Sequence, residues 1–122
     1  MRAMLSPARA GFLFGAPEGP WARVALDTPV RREFSYEVPP GMDGVAPGCR
    51  VRVPFGSRQK VGVVVGIDPH PPEGVEISRI RPIQILLDDR PLLTEPLLRL
   101  AKHMADTTFC SWGESLSAMM PA

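Results

Sequence analysis

Cys49-Arg50-Val51-Arg52-Val53-Pro54-Phe55-Gly56-Ser57-Arg58-Gln59-Lys60-Val61-Gly62-Val63-Val64-Val65-Gly66-Ile67 is the most regular stretch of the chain and decides its class. Cys49, Val51 and Val53 alternate with Arg50 and Arg52, the period of two that sends apolar side chains to one face of a strand and cations to the other. Pro54-Phe55-Gly56 ends this strand, and Gly56 to Gln59 makes a short polar connection. Val61 to Ile67 returns with β-branched residues at nearly every place. Two apolar runs joined by a few residues containing glycine form a β-hairpin.

Upstream, Ala22 to Leu26 reads as a strand that Thr28-Pro29 ends, because proline has no ladder donor. Phe34-Ser35-Tyr36-Glu37-Val38 alternates large apolar with polar side chains and is a second, half-buried strand, stopped by Pro39-Pro40-Gly41. Val45 to Gly48 is a turn leading into the hairpin. Downstream, the proline-rich stretch Asp68 to Gly74 is a loop. Ile77 to Leu87 resumes a strand pattern, with Pro82 best placed on an edge or at a bulge.

The pattern changes at Thr94, which can cap a helix with Pro96 in its first turn, where no amide donor is needed. Leu97, Leu100, Ala101 and Met104 recur at helical spacing as a buried face, with Arg99, Lys102 and Asp106 off it. Ser111-Trp112-Gly113-Glu114 has the form of a capping box and opens a second, shorter helix, in which Leu116 and Met119 or Met120 are buried. Strands first and two helices after make an α+β domain, a small curved β-sheet or partly closed barrel with two C-terminal helices. Residues 21–122 form this domain, preceded by a flexible extension over residues 1–20.

The chain has 122 residues, the size of one domain, and 14 basic against 13 acidic residues for a net charge of +1. So small a charge supplies no long-range attraction to nucleic acid, and any such binding must come from a local patch. Fifteen prolines and eleven glycines argue for many turns and against a helical bundle. Two cysteines make no disulfide framework, which points to a reducing cytoplasm. Arg2 and Arg9 precede only the short Gly11-Phe12-Leu13-Phe14-Gly15 stretch, too little for the apolar core of a secretory signal. No apolar run approaches the length of a transmembrane helix.

Much chemistry is missing. No phosphate-binding loop of the ATPase kind occurs; around Lys60 the lysine precedes the second glycine and sits in the hairpin. Cys49, His70, His103 and Cys110 lack the close pairing of a structural zinc site, so no metal is expected. His103 with Asp106 has no nucleophile or second acid placed beside it and reads as a solvated helix face. No enzyme is indicated.

The one local charge imbalance is Arg50, Arg52, Arg58 and Lys60, four cations with no acidic residue between them. Same-face residues of a hairpin lie close enough to form a patch, and the guanidinium fork suits phosphate. Each neutralised phosphate releases a counterion, so a few contacts give measurable, salt-sensitive binding. Gly56 beside Phe55 lets a ligand approach the backbone next to a ring, and single-strand binders combine basic grooves with aromatic platforms.

From Ala22 to Pro121 the chain resembles the N-terminal DNA-binding domain of the PriA family, the primosomal protein N′ of bacterial replication restart. The resemblance rests on Val24-Ala25-Leu26, Phe34-Ser35-Tyr36 with Val38-Pro39, and above all Gly48-Cys49-Arg50-Val51-Arg52-Val53-Pro54-Phe55-Gly56 followed by Val61-Gly62-Val63-Val64. Leu86-Leu87-Asp88, Pro91-Leu92-Leu93-Thr94 and a helical tail ending in Met120-Pro121 complete it, in matching order and spacing.

The resemblance implies a module that reads the 3′ end of the nascent leading strand at stalled forks and D-loops, without sequence specificity. It places Phe34, Ser35, Gly56 and Arg81 in a pocket for the terminal nucleotide and its free 3′-hydroxyl, with Arg50, Arg52, Arg58 and Lys60 left for the DNA backbone. Some members carry Asp where this chain has Ser35, and a carboxylate is the stronger acceptor for a hydroxyl. Where some relatives have Lys, Arg81 keeps the charge and changes the geometry. The resemblance further implies a partnership with branched DNA, other primosome proteins and single-strand binding protein, in a cytoplasmic, nucleoid-associated setting. ATP, magnesium and zinc are expected only in the helicase portion of the family, which this chain lacks.

The same residues have plainer readings. Phe34 and Tyr36 share a strand face and suit a core, Phe55 can pack, Gly56 can serve the turn, and Arg81 can be an edge-strand charge. A different class, a protein-interaction module holding a peptide on an exposed sheet edge or aromatic groove, draws on the Asp68-Pro69-His70-Pro71-Pro72 loop.

Overall fold

A computed structural model describes residues 20–29, 32–108 and 110–119. The flexible extension expected over 1–20 lies outside them except for Pro20, as do Met120 and Pro121. Five strands, β1 (Trp21–Leu26), β2 (Phe34–Glu37), β3 (Arg50–Phe55), β4 (Arg58–Asp68) and β5 (Ile85–Leu86), form one antiparallel sheet in the order β2-β1-β4-β3-β5. Helices α1 (Glu95–Thr108) and α2 (Trp112–Met119) follow.

The expected hairpin is β3–β4, and its connection is tighter than the sequence suggests. Phe55 pairs with Arg58, which leaves only Gly56 and Ser57 between the strands. Two-residue hairpin loops need left-handed backbone to match the strand twist, and Gly56 provides it at φ 62°.

Each face of the sheet carries its own core. Ala22, Val24, Leu26, Tyr36, Val38, Val51, Val53, Val64 and Ile83 pack together inside the curl of the sheet. On the other face Ala25 and Val63 meet Leu93, Leu98, Ala101 and Leu116, so both helices cover one side. Fully burying a Val or Leu contributes about 1.5–3 kcal/mol, so two such clusters make a stable α+β unit of the expected kind.

Residues 81–87 tie the two edges of the sheet together without a continuous ladder. On the β2 side the Glu37 N–H donates to the Arg81 carbonyl (3.0 Å) and the Ile83 N–H to the Glu37 carbonyl (3.0 Å). On the β3 side the Gln84 N–H donates to Arg52 (2.9 Å) and the Leu87 N–H to Arg50 (2.9 Å). The strand expected over Ile77 to Leu87 is thus mostly replaced. A 3-10 turn at Ile77–Arg79 and a lone bridge at Pro82 precede the two residues of β5. Pro82 has no N–H to give, so a ladder through it would lose a rung on one side.

Helix α2 begins as expected. The Glu114 N–H donates to Ser111 Oγ (3.0 Å) and the Ser111 N–H to Glu114 Oε1 (2.9 Å), a reciprocal capping box. Helix α1 is rotated from expectation. Its buried residues are Leu98, Ala101 and Ala105, while Leu97, Leu100 and Met104 are exposed. The two small residues let α1 lie close to its neighbours, a preference that larger apolar side chains at similar spacing hide in the sequence.

Candidate nucleic-acid interface

Alternation along β2 settles which of its residues face the curl. Phe34 pairs with Val24 and Tyr36 with Ala22, so both rings point inward. Tyr36 is buried, and its hydroxyl donates to the Pro54 carbonyl at 2.8 Å, which makes it core. Burial pushes its phenol pKa up against the opposing pull of the Arg81 charge. Phe34, one strand position nearer the end of the curl, is only half-buried and meets Phe55 edge to face, centroids 5.2 Å apart at 79°.

Register divides the four hairpin cations between two faces. Arg58 pairs with Phe55 and Lys60 with Val53, so both share the inner face with the ring pair. Arg50 and Arg52 alternate with Val51 and Val53 and lie on the opposite face. Arg50 is also engaged within the molecule, although partly exposed. Its guanidinium donates twice to Asp88, from Nε at 3.1 Å and from the terminal nitrogen at 2.9 Å, and its backbone N–H donates to the same carboxylate at 2.9 Å. These bonds hold the Asp88 carboxyl below the usual carboxylate range. The structure therefore does not gather Arg50, Arg52, Arg58 and Lys60 into one patch.

It gathers another set. Arg81 leaves the tethering segment and donates from its terminal nitrogen to the Gly56 carbonyl at 3.2 Å. Arg32 lies over the Phe34 ring, 4.9 Å from its centroid, and Lys60 over the Phe55 ring at 6.0 Å. Arg58 is exposed beside the turn. Among the described residues, Arg32, Arg58, Lys60 and Arg81 form no ion pair, whereas Arg23, Arg50, Arg79, Arg99 and Lys102 are each paired with a carboxylate. Arg52, on the outer face of the hairpin, and Arg90, in the loop before α1, are also without an ion pair, so four of the six described cations without counter-ions surround two half-buried aromatic rings at one end of the curl.

Of the pocket residues expected from sequence, Phe34, Gly56 and Arg81 come together here. A Cβ on Gly56 would meet nothing within 4 Å, so its backbone is open to close approach. Ser35 presents differently. It pairs with Arg23, which turns its side chain to the face opposite Phe34. Its backbone N–H and C=O share the direction of those of Glu37, two residues on, which reach the tethering segment. Ser35 thus offers main-chain groups to the gap beside Arg81. Arg32 was not apparent as a site residue in the sequence; its one signal is a cation two places before an aromatic residue on a strand.

Elsewhere there is less chemistry. Cys49 is buried and points at the Gly44 carbonyl (3.6 Å), its thiol pushed up by burial. Among the described residues no cluster of His, Cys, Asp and Glu could hold a metal ion, and no helix is long and apolar enough to cross a membrane. An open groove of about 650 Å³ lies between Pro47, Val65 and the helices, beside His103 and Asp106.

Comparison with known proteins shows the family. A family model described as the 3′ DNA-binding domain of PriA matches residues 23–121. The replication restart protein PriA of Bacillus subtilis (strain 168) is 33% identical over 108 residues, covering 84% of this chain and 13% of the relative. That of Treponema pallidum (strain Nichols) is 29% identical over 106 residues, covering 84% and 16%. That of Synechocystis sp. is 41% identical over 66 residues, covering 53% and 8%. The chain spans only a small part of each relative's length.

Proposed function

Because the chain belongs to the PriA 3′ DNA-binding domain family, we propose that it holds the free 3′ end of a nascent leading strand at stalled forks and D-loops, placing the restart machinery there. The supporting observation is the concentration of unpaired Arg32, Arg58, Lys60 and Arg81 around Phe34 and Phe55. Rings accept any base by stacking and cations accept any phosphate, so binding is independent of sequence. End selection comes from the space between β2 and the hairpin turn. The open main chain of Ser35 and the Arg81–Gly56 contact there suit a terminal sugar with a free hydroxyl, whereas a continuing strand needs a way out.

The chain needs no nucleotide or metal for this task. ATP-driven unwinding, with its magnesium and zinc, belongs to the rest of a PriA protein, through which other primosome proteins and single-strand binding protein are reached. The setting is the cytoplasm, on the nucleoid.

The test is fluorescence anisotropy at fixed low salt with three short single strands: a 3′-hydroxyl end, a 3′-deoxy end and a circle. One or two hydrogen bonds to the hydroxyl predict a preference of about 2- to 20-fold for the first over the second, and weaker binding still to the circle. Equal affinity for all three would reduce the domain to a general single-strand binder.

A further inference from the structure

The ring pair at this end of the curl, the mouth, presents two platforms, whereas one base stacks on one. Phe34 and Phe55 meet at 79°, so they present two platforms nearly at right angles, and each is covered by its own cation, Arg32 at 4.9 Å and Lys60 at 6.0 Å. Neither cation is paired with a carboxylate among the described residues, and Lys60 shares the inner face with Arg58 and Phe55.

Resting on the 3′-end reading above, we propose that the mouth is a two-nucleotide site: the terminal base stacks on Phe34, and the penultimate base stacks on Phe55, displacing Lys60 from the ring. A flexible ammonium held only by a ring is easily moved, since an exposed cation–π contact contributes little, about 0.5–1 kcal/mol, and the displaced Lys60 then lies with Arg58 beside the phosphate joining the two nucleotides. Arg32, which lies over the Phe34 ring at 4.9 Å, must likewise swing off the ring as the terminal base enters, and then closes over that base from the solvent side.

The angle has a consequence for the ligand. Two bases stacked on perpendicular rings cannot stack on each other. The site therefore takes a strand whose last two bases have come apart, and a paired duplex end does not fit until two base pairs have frayed. Selection for an unpaired end is built into the angle between two phenylalanines.

The experiment uses the whole chain and 3′-hydroxyl trinucleotides, either intact or with an abasic site at the penultimate position, and measures each against the wild type and Phe55→Leu. Leucine preserves apolar packing against the core but offers no π-face, and circular dichroism confirms that the variant is folded. The expected result is a loss of about 5- to 150-fold from the abasic substitution in the wild type, the range for one base on one ring, shrinking to near unity in Phe55→Leu. Lys60→Gln should weaken the intact strand while leaving a 3′-mononucleotide unaffected. If the abasic and intact strands bind the wild type equally while the 3′-hydroxyl preference persists, the second subsite is overturned and end reading stands. If no oligonucleotide binds, both are overturned.

Discussion

Single residues decide which cations are available. Arg50 and Arg81 look alike in sequence, yet Arg50 is locked by Asp88, thirty-eight positions away, and Arg81 only touches a carbonyl. Arg81→Ala should therefore cost DNA affinity and little stability, and Arg50→Ala the reverse, which anisotropy and urea melts on both variants will separate. Because the folded Asp88 carboxyl is held below its unfolded value of about 3.9, the Arg50–Asp88 contact stabilises above that pH and is lost as pH falls through the lower folded value. Asp88→Asn should cost about 1–2 kcal/mol at pH 7 and progressively less as the pH is taken below 3.9. The two glycines that matter most differ as sharply. A Cβ at Gly113 would collide with the Leu26 carbonyl, so Gly113→Ala should destabilise by about 1–3 kcal/mol. Gly56 faces open space, and its substitution meets only the strain of a positive φ, about 1–2 kcal/mol. That Phe34, Gly56 and Arg81 should lie together was an expectation from family resemblance, and the fold brings them to one end of the curl. The neutralisation of Arg50 was not legible in the sequence, because no local pattern reveals a partner so distant in the chain.

At the scale of elements, alternation was a dependable guide and helical periodicity a weaker one. The β3–β4 hairpin and the inward valines follow from a period of two that permits no other face. In α1 the expected face Leu97–Leu100–Ala101–Met104 and the buried face Leu98–Ala101–Ala105 share only Ala101, and side-chain size favours the wrong leucines and Met104 in sequence. Close packing against α2 and the sheet selects the set with two alanines. Leu98→Ala should thus cost about 2–5 kcal/mol in a chemical melt, and Leu100→Ala less than about 0.5 kcal/mol. The capping box was fully readable because its partners are three residues apart, and Ser111→Ala should lower stability by about 1 kcal/mol. Alternation also contained the division of the hairpin cations, once the length of the turn was known. Reading the connection as four residues rather than two obscured which pairs share a face.

For the molecule as a whole, the tethering segment 81–87 matters most. It joins the two edges of the sheet, fixes the end of the curl, and carries Arg81 to the hairpin turn. The α+β class was evident from strands followed by helices. The bridging was not, because its bonds are main-chain contacts made by a stretch that scarcely looks like a strand. The outcome is a small domain of net charge +1 with four of its six described unpaired cations at one end, Arg52 and Arg90 lying elsewhere, so its binding should be strongly local. The decisive measurement is an amide chemical-shift titration of the whole chain with a short 3′-hydroxyl oligonucleotide. Perturbations should concentrate at Arg32, Phe34, Ser35, Phe55 to Lys60 and Arg81, with Arg50, Arg52 and the helices nearly silent. Shifts centred on Arg50, Arg52 and the outer face of the hairpin, with the ring pair unmoved, would contradict the placement of the DNA end at this mouth.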